Sequence, residues 1–545
     1  MRTLSGMRLL LLTVLGLGGA LFVSSCQKRT TDVEAGDRSG RLLLGNGGEI
    51  QYLDPQIAGG LIDHYPISAL FEGLVTLDET TLEPRPGMAE RWDVSADGLT
   101  YVFHLRRGLT WSTGEPLTME DLLFSFRRAL SPRLGSEYAD LYFTVKNAEA
   151  YVKGEVKDFS QVGFRAVDPL TLEVTLVRRT PYFLTILRNN VWYPVQKAAV
   201  EGNGPFDDRS NHWERKMPVP SNGPFRLVAW RKDQNMELEK NPFYWDASHV
   251  RLNGIKYFSN ESLQSQEFAF RAGQLHVTWN VPLSKLQAYS DKHPEMLRVE
   301  PSLESYFIRF NTTRKPFDDL RVRKAFSLAI DRQAIVANIL KGGQKPAASL
   351  TPPGMNGYVP PATASLDVPE ARRLLAEAGF PGGQGFPKLN FLTISAETDQ
   401  RIAEAMQQMW RQNLGVEVGI LQQEFKTYLY SIRNTVLDYS LARGRWTPEY
   451  PDPLGFLSIM TTGDGINGTG FSDPVYDRLL AAANEVADPA RRNSALAVAE
   501  MRLLDQSPIA PVYFGTTARL IRPSVHGWKF SPLGFHNFKD VWLEP

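Results

Sequence analysis

Cysteine is nearly absent: Cys26 is the only one in 545 residues, so the chain can form no internal disulfide. An excess of charge of either sign is absent too. Lysine plus arginine and aspartate plus glutamate number 60 each, so no global field draws in polyanions and nucleic acid is not expected as a partner. Phosphate-cradling motifs are missing: the glycines around Asn46 precede no Gly-Lys-Ser/Thr, and no GxGxxG opens a helix. There is no Gly-x-Ser-x-Gly elbow for a nucleophilic serine, and the sole cysteine sits at a processing site. The eight histidines are scattered without the i, i+3 or i+4 pairs that set two imidazoles on one helix face. Neither a metal site nor a cofactor is expected.

What is present is ordinary in bulk. The apolar share of 43% and charged share of 22% suit a globular protein rather than a disordered or multi-pass membrane chain. The length exceeds what one hydrophobic core organises, so two or three lobes are expected. The 11 Trp, 19 Tyr and 29 Phe supply rings for binding walls as well as cores. At the amino terminus, Arg2 and Arg8 precede an apolar run from Leu9 to Val23, too short for a comfortable membrane span. Residues 1–25 therefore read as a signal peptide. The small residues before Cys26 resemble a bacterial lipobox, which implies that Cys26 becomes the lipidated first residue; an incidental Cys after an ordinary signal peptide is the alternative. Residues 26–41 read as a flexible tether, and the folded part is expected from Leu42.

Along the chain, Leu42-Leu43-Leu44 reads as a buried strand, and Ile67 to Leu77 as a helix passing into a strand. Two alternating runs around Asp97-Gly98 signal a hairpin, and Thr118 with Asp121 caps a helix carrying Leu122, Phe126 and Leu130. Between Leu389 and Leu421 lies a strand, a helix face of Ile402, Ala405, Met406, Met409 and Trp410, and a second strand, a βαβ unit whose sheet edge can carry a ligand crevice. Strands are read again from Ala510 to Pro523.

The most distinctive stretch runs from Arg443 to Leu457. Pro448, Pro451 and Pro453 fall within six residues, which excludes a helix there and predicts extended backbone. Extended backbone leaves amides and carbonyls for an outside partner, Trp446 and Tyr450 offer flat walls, and Glu449 offers a negative charge. That set suits a peptide with a charged amino terminus; a stiff surface turn with a solvated Glu449 is the plain alternative. Glu449 and Asp452 also raise a hydrolytic carboxylate pair. Neighbours on one extended loop seldom face each other across a substrate, however, and Asp452 between prolines is expected to stabilise the turn.

Several ordered segments resemble the family 5 extracellular solute-binding proteins, the oligopeptide and dipeptide receptors of bacterial ABC importers. They include Leu70-Phe71-Glu72-Gly73-Leu74, Pro86-Gly87-Met88-Ala89-Glu90, Trp111-Ser112-Thr113-Gly114-Glu115-Pro116, Asn241-Pro242-Phe243-Tyr244-Trp245 and Pro316 through Asp331. The resemblance covers nearly the whole mature chain. It implies an α/β, two-lobed periplasmic-binding-protein fold of type II with an extra subdomain, mixed sheets and a hinge of two chain crossings. Lobe I would comprise 42–66, 199–298 and 512–545, the extra subdomain 67–198, and lobe III 299–511. The implied function is non-enzymatic capture of short peptides between the lobes by a monomeric, lipid-anchored, exported receptor that serves a membrane permease. A nickel or metal-chelate receptor, or another small-solute receptor, is the alternative within the same fold. By resemblance, Trp446-Thr447-Pro448-Glu449 holds the ligand's ammonium, with Glu replacing the usual Asp. Arg443 and Arg445 are candidates for the ligand carboxylate or for pairing with Glu449, and Gly60 and Leu61 fall where the opposing lobe supplies main-chain contacts.

Overall fold

The computed structural model describes residues 30–362, 365–433, 435–536 and 538–544; the expected signal peptide and Cys26 lie outside them. The folded body begins earlier than Leu42. Much of the expected tether is helix α1 (Asp32–Ser39), in which Thr31 and Glu34 cap each other reciprocally and Gly40 closes the end in the left-handed conformation. Val33 is buried and its N–H donates to the Gly273 carbonyl at 2.8 Å. Eight residues with one buried apolar side chain carry no helical periodicity, which is why the stretch reads as a tether.

Lobe I is built on a four-stranded mixed sheet. Arg41–Asn46 pairs in parallel with Gly254–Ser259, followed by Asn235–Lys240 and Phe225–Arg231. Leu42 and Leu44 drop into the core from the first strand, which ends the sheet and is covered on its outer side by a bridge from Leu44 to Val277. The subdomain carries a second sheet, antiparallel throughout, in which Ala89–Val94 and Thr100–Leu105 form the expected hairpin. Its helix Met119–Ala129 starts with the predicted Thr118–Asp121 capping box.

The third sheet has six strands. Five of them are β1 (Leu297–Phe310), β2 (Leu389–Ile394), β3 (Val418–Gln423), β4 (Leu441–Trp446) and β5 (Ile509–Leu520), in spatial order β5-β1-β4-β2-β3, with Lys345–Pro346 beyond β5. The βαβ unit is present: β2 and β3 are parallel and joined by α2 (Glu397–Leu414), which buries Ile402, Met406 and Trp410. Between β3 and β4 lies a shorter helix, α3 (Phe425–Ser431).

β1 and β5 are the two chain crossings, and they are hydrogen-bonded to each other over most of their length. Their inner halves belong to the six-stranded sheet. At the other end they meet lobe I, where Thr278 N–H donates to the Leu520 carbonyl at 3.0 Å and Leu303 N–H to that of Pro532 at 2.8 Å. The divisions read at 298/299 and 511/512 therefore fall inside one continuous ribbon. Register shifts interrupt that ribbon between Pro301 and Ser305 and between Tyr306 and Phe307, where a ladder bends most easily.

Candidate functional site

β4 is laid against β1 along its whole length, from Leu441 opposite Phe310 to Trp446 opposite Ser305. Close approach there requires glycine: a Cβ on Gly444 would stand 2.3 Å from the Phe307 ring. On its other side β4 meets β2 only at Leu441 and Ala442. Beyond Ala442 no strand pairs with that edge. The Arg443 carbonyl accepts the Tyr428 hydroxyl on this side, and the two-residue alternation of a strand turns the main-chain groups of Arg445 the same way. An unpaired strand edge of this kind can take an added strand.

Past Trp446 the backbone does not stay extended, contrary to the expectation for the three prolines. It bends at 449–452 and enters a helical turn at Leu454–Leu457 directly behind Pro453. Proline blocks a helix interior but suits its start, where the missing N–H has no partner to lose. Asp452 fixes the bend. Its carboxylate accepts from Leu454 N–H at 2.9 Å and forms two bonds of 2.7 and 2.9 Å with Arg492 in a buried ion pair. Both oxygens are engaged, so Asp452 forms no carboxylate pair with Glu449.

The walls are held rigidly. Trp446 Nε1 donates to the Gly455 carbonyl at 2.8 Å, and Tyr450 lies flat on Tyr182 with centroids 4.5 Å apart. One face of Tyr450 is thus already covered by the subdomain. Asn189 comes from the same side. Its Oδ1 accepts from Val191 N–H and caps a short turn, which leaves its amide free to donate from Nδ2 to Glu449 Oε2 at 3.1 Å. Burial pushes the Glu449 carboxyl up to about 7; the nearby Asp140 charge adds to the rise, while the Asn189 bond and the Arg188 charge oppose it. Arg188, stacked over Phe535 at 3.5 Å, is itself lowered to about 10 by burial.

Two cavities of opposite charge flank Trp446. One, of about 880 Å³, is lined by Glu137, Asp140, Glu149, Glu449, Asp464, Asp477 and Glu485 against the single cation Arg178. The other, of about 600 Å³, is lined by Arg309, Arg433, Arg443 and Arg445 against the single acid Glu304. Electrostatically the first suits a cation and the second an anion.

Neither Arg443 nor Arg445 pairs with Glu449. Arg443 is buried with its Nε 2.7 Å from Asp399 Oδ1, and Arg445 reaches Glu304 at 2.8 Å. Thr447 is exposed and lines the basic cavity. Gly60, at φ 79°, starts a helix and meets Tyr138, a wall of the acidic cavity, through its main chain. Leu61 instead lies beside Gly534. Reading the sequence missed Asn189, Tyr138, Asp140 and Tyr182, which sit 260 or more residues from Glu449, and also Arg309; only the fold brings them to the loop. Among the described residues no three His, Cys, Asp or Glu side chains converge as metal ligands.

A cleft between two lobes joined by a two-strand ribbon, with an added subdomain on one wall, defines a type II periplasmic-binding-protein fold. More narrowly, the chain belongs to the bacterial extracellular solute-binding proteins of family 5; the model described as "family 5 Middle" matches residues 83–468. The chain is 34% identical over 502 residues, 89% of each protein, to the periplasmic oligopeptide-binding protein OppA of Salmonella typhimurium. It is 33% identical over 501 residues, 90% of this chain and 91% of the relative, to the probable deoxycholate-binding periplasmic protein YgiS of Escherichia coli. The structure of the Escherichia coli murein tripeptide-binding protein MppA superposes with a TM-score of 0.79 at 32% identity, covering 92% of this chain and 98% of that one. Among the described residues no helix is long and apolar enough to cross a membrane.

Proposed function

We propose that this protein is an exported receptor that captures short peptides between its two lobes, without bond making, and delivers them to the permease of an ABC importer. The observation that carries the reading is the open edge of β4 between cavities of opposite charge. A peptide laid on that edge pairs its main chain with Arg445 and Thr447, places its ammonium at Glu449 and runs back toward Arg443, antiparallel to β4. Main-chain bonds and terminal charges are common to all peptides, so they supply affinity without reading sequence. Trp446 and Tyr450 are side walls, and Gly60 and Leu61 supply main-chain contacts from the opposing lobe. A ligand touching both lobes favours the closed form, with the β1–β5 ribbon as hinge.

The names of OppA and MppA support a peptide, whereas that of YgiS raises a bile acid. The acidic cavity favours the peptide, because a bile acid brings no cation to Glu449. Cys26 is proposed as a lipidated anchor to the periplasmic or cell-surface face of a bacterial membrane, with the receptor acting as a monomer. Native mass spectrometry of freshly purified protein tests the central claim. Co-purified peptides are expected; a bound bile acid or metal chelate with no peptide would reverse it.

A further inference from the structure

Arg188, Asn189 and Asn190 are consecutive, and their side chains reach three different parts of the protein. Asn189 donates to Glu449, and Arg188 stacks over Phe535 at 3.5 Å. Asn190 is turned into lobe I, where it is only 5% exposed. Its Nδ2 donates to the carbonyls of Pro55 and Ala58, and because carbonyls only accept, the amide can face them with no other atom. Asn190 Oδ1 is thereby turned to His64, 3.3 Å from Nδ1, so the ring carries its proton on Nδ1 and donates it to Asn190. Burial and the Arg188 charge hold that ring neutral.

Pro55, Ala58 and His64 bracket Gly59 and Gly60, and this rim has little of its own to hold it. Neither glycine carries a side chain, Gly60 sits at φ 79°, and a Cβ there would meet no atom within 4 Å. The helix Gly60–Leu70 begins without a side-chain cap. Pro66 has no N–H to give the Ile62 carbonyl, which accepts the Asn46 amide at 3.2 Å instead. The first turn of that helix is therefore held from outside. Asn190 grips it on both sides of the glycines, through two carbonyls before them and one imidazole after. The rim also stands near the ligand's amino end, because Tyr138, which meets the Gly60 main chain, lies within reach of the Glu449 charge.

Resting on the peptide-receptor reading above, we propose that Asn190 is a positioning residue for ligand binding, which fixes the Gly59–Gly60 rim of lobe I while its neighbour Asn189 holds Glu449. One short turn then sets both walls around the same end of the peptide. A rim already in place costs no further ordering when its main chain meets the ligand, so affinity depends on the clamp although Asn190 itself touches no peptide.

Three measurements on the full mature protein test this. Calorimetry with tri-alanine should show Asn190→Ala weakening binding about tenfold, with the acid limb of affinity against pH left in place because Glu449 and Asn189 are unaltered. Hydrogen exchange in the unliganded protein should quicken about tenfold at the Ala58 and His64 amides, which close the turns on either side of the glycines. A purely structural role would quicken exchange and leave the affinity where it is. Asn190→Asp serves as a second variant, since it keeps the shape and the acceptor for His64 but offers the two carbonyls no donor; the same loss is expected. In the wild type, nitrogen NMR should find a neutral His64 protonated on Nδ1 at neutral pH, a reading that needs no variant. An unchanged affinity, an unchanged exchange rate at both amides, an acid limb that moves, or a His64 proton on Nε2 would each overturn the proposal. If the wild type binds no peptide, the receptor reading falls and this inference with it, whereas peptide binding indifferent to Asn190 overturns this inference alone.

Discussion

Asn189 Nδ2 donates to Glu449 Oε2 at 3.1 Å, a bond between residues 260 positions apart that links the subdomain to the loop after β4. Because Asn189 Oδ1 is already used in capping Val191 N–H, the amide can face Glu449 only with its donor side. The bond therefore favours the charged carboxylate over the neutral acid. Asn189→Ala should raise the Glu449 pKa further, by about one unit if about 1.4 kcal/mol of preference for the charged form is lost. The acid limb of peptide affinity against pH should move upward by the same amount. An unmoved limb in a variant that still folds would show that Asn189 does not set the charge of Glu449.

The pH dependence itself has a defined sign. Glu449 holds a cation only as the carboxylate, which it becomes as pH rises through about 7. The ligand's α-ammonium is lost above its own pKa of about 8. Affinity for a free amino terminus should thus peak between about 7 and 8 and fall on both sides. At pH 6 the Glu449 carboxyl is largely protonated, so peptide binding should expel close to one proton. Calorimetry in two buffers of different ionisation enthalpy reads that number; zero release at pH 6 would refute the assignment.

Elements with local signals were legible in the sequence: the hairpin at Asp97-Gly98, the Thr118–Asp121 capping box and the βαβ unit around Trp410 all declare themselves over windows of about ten residues. The 443–457 stretch stands out by composition, because it brings charge, flat rings and prolines together. Its surroundings do not. Asn189, Asp140 and Arg309 become neighbours of the loop only through long-range packing and strand register, and no local pattern encodes that. Arg443 shows the converse. Its residue type suggests a ligand carboxylate or Glu449 as partner, and the structure pairs it with Asp399 on α2, a residue that no local pattern marks. Helix α1 escaped because a capping box without an apolar stripe looks like a polar linker.

The bend that positions Glu449 depends on the Asp452–Arg492 pair, whose side chains are each 5% exposed. Arg492→Met would strand a buried carboxylate, and removing one member of such a pair costs about 3–5 kcal/mol. An earlier urea unfolding midpoint and weaker peptide binding are expected together. Replacing both Asp452 and Arg492 by apolar residues of similar size should recover part of the stability. A midpoint unchanged in Arg492→Met would show that the bend is held by its prolines alone.

Cys26, proposed as the lipidated first residue of the mature chain, stands six residues before α1 begins at Asp32. So short a connection would hold a lipid-anchored body near the bilayer, within about 20 Å at full extension. Cys26→Ser should leave folding and peptide binding intact and move the protein from the membrane fraction to the soluble one. Unchanged fractionation would remove the anchor.

Glu449 gives the most direct test of ligand polarity. Glu449→Gln removes the charge while nearly preserving shape, and a charge-assisted hydrogen bond at a sheltered site contributes on the order of 1.5–3 kcal/mol. Affinity for a free tripeptide should therefore fall about tenfold or more. An N-acetylated tripeptide has no ammonium, so it should bind the wild type weakly and be far less sensitive to the substitution. Glutamine keeps a carbonyl acceptor for the Asn189 amide, so the link between loop and subdomain is retained. A general disturbance of the loop would instead weaken both peptides alike, and the four affinities separate the two cases as a double-mutant cycle does. Equal losses for the free and the acetylated peptide, or no loss for either, would exclude Glu449 as the ammonium's partner and with it the antiparallel placement of the ligand on β4.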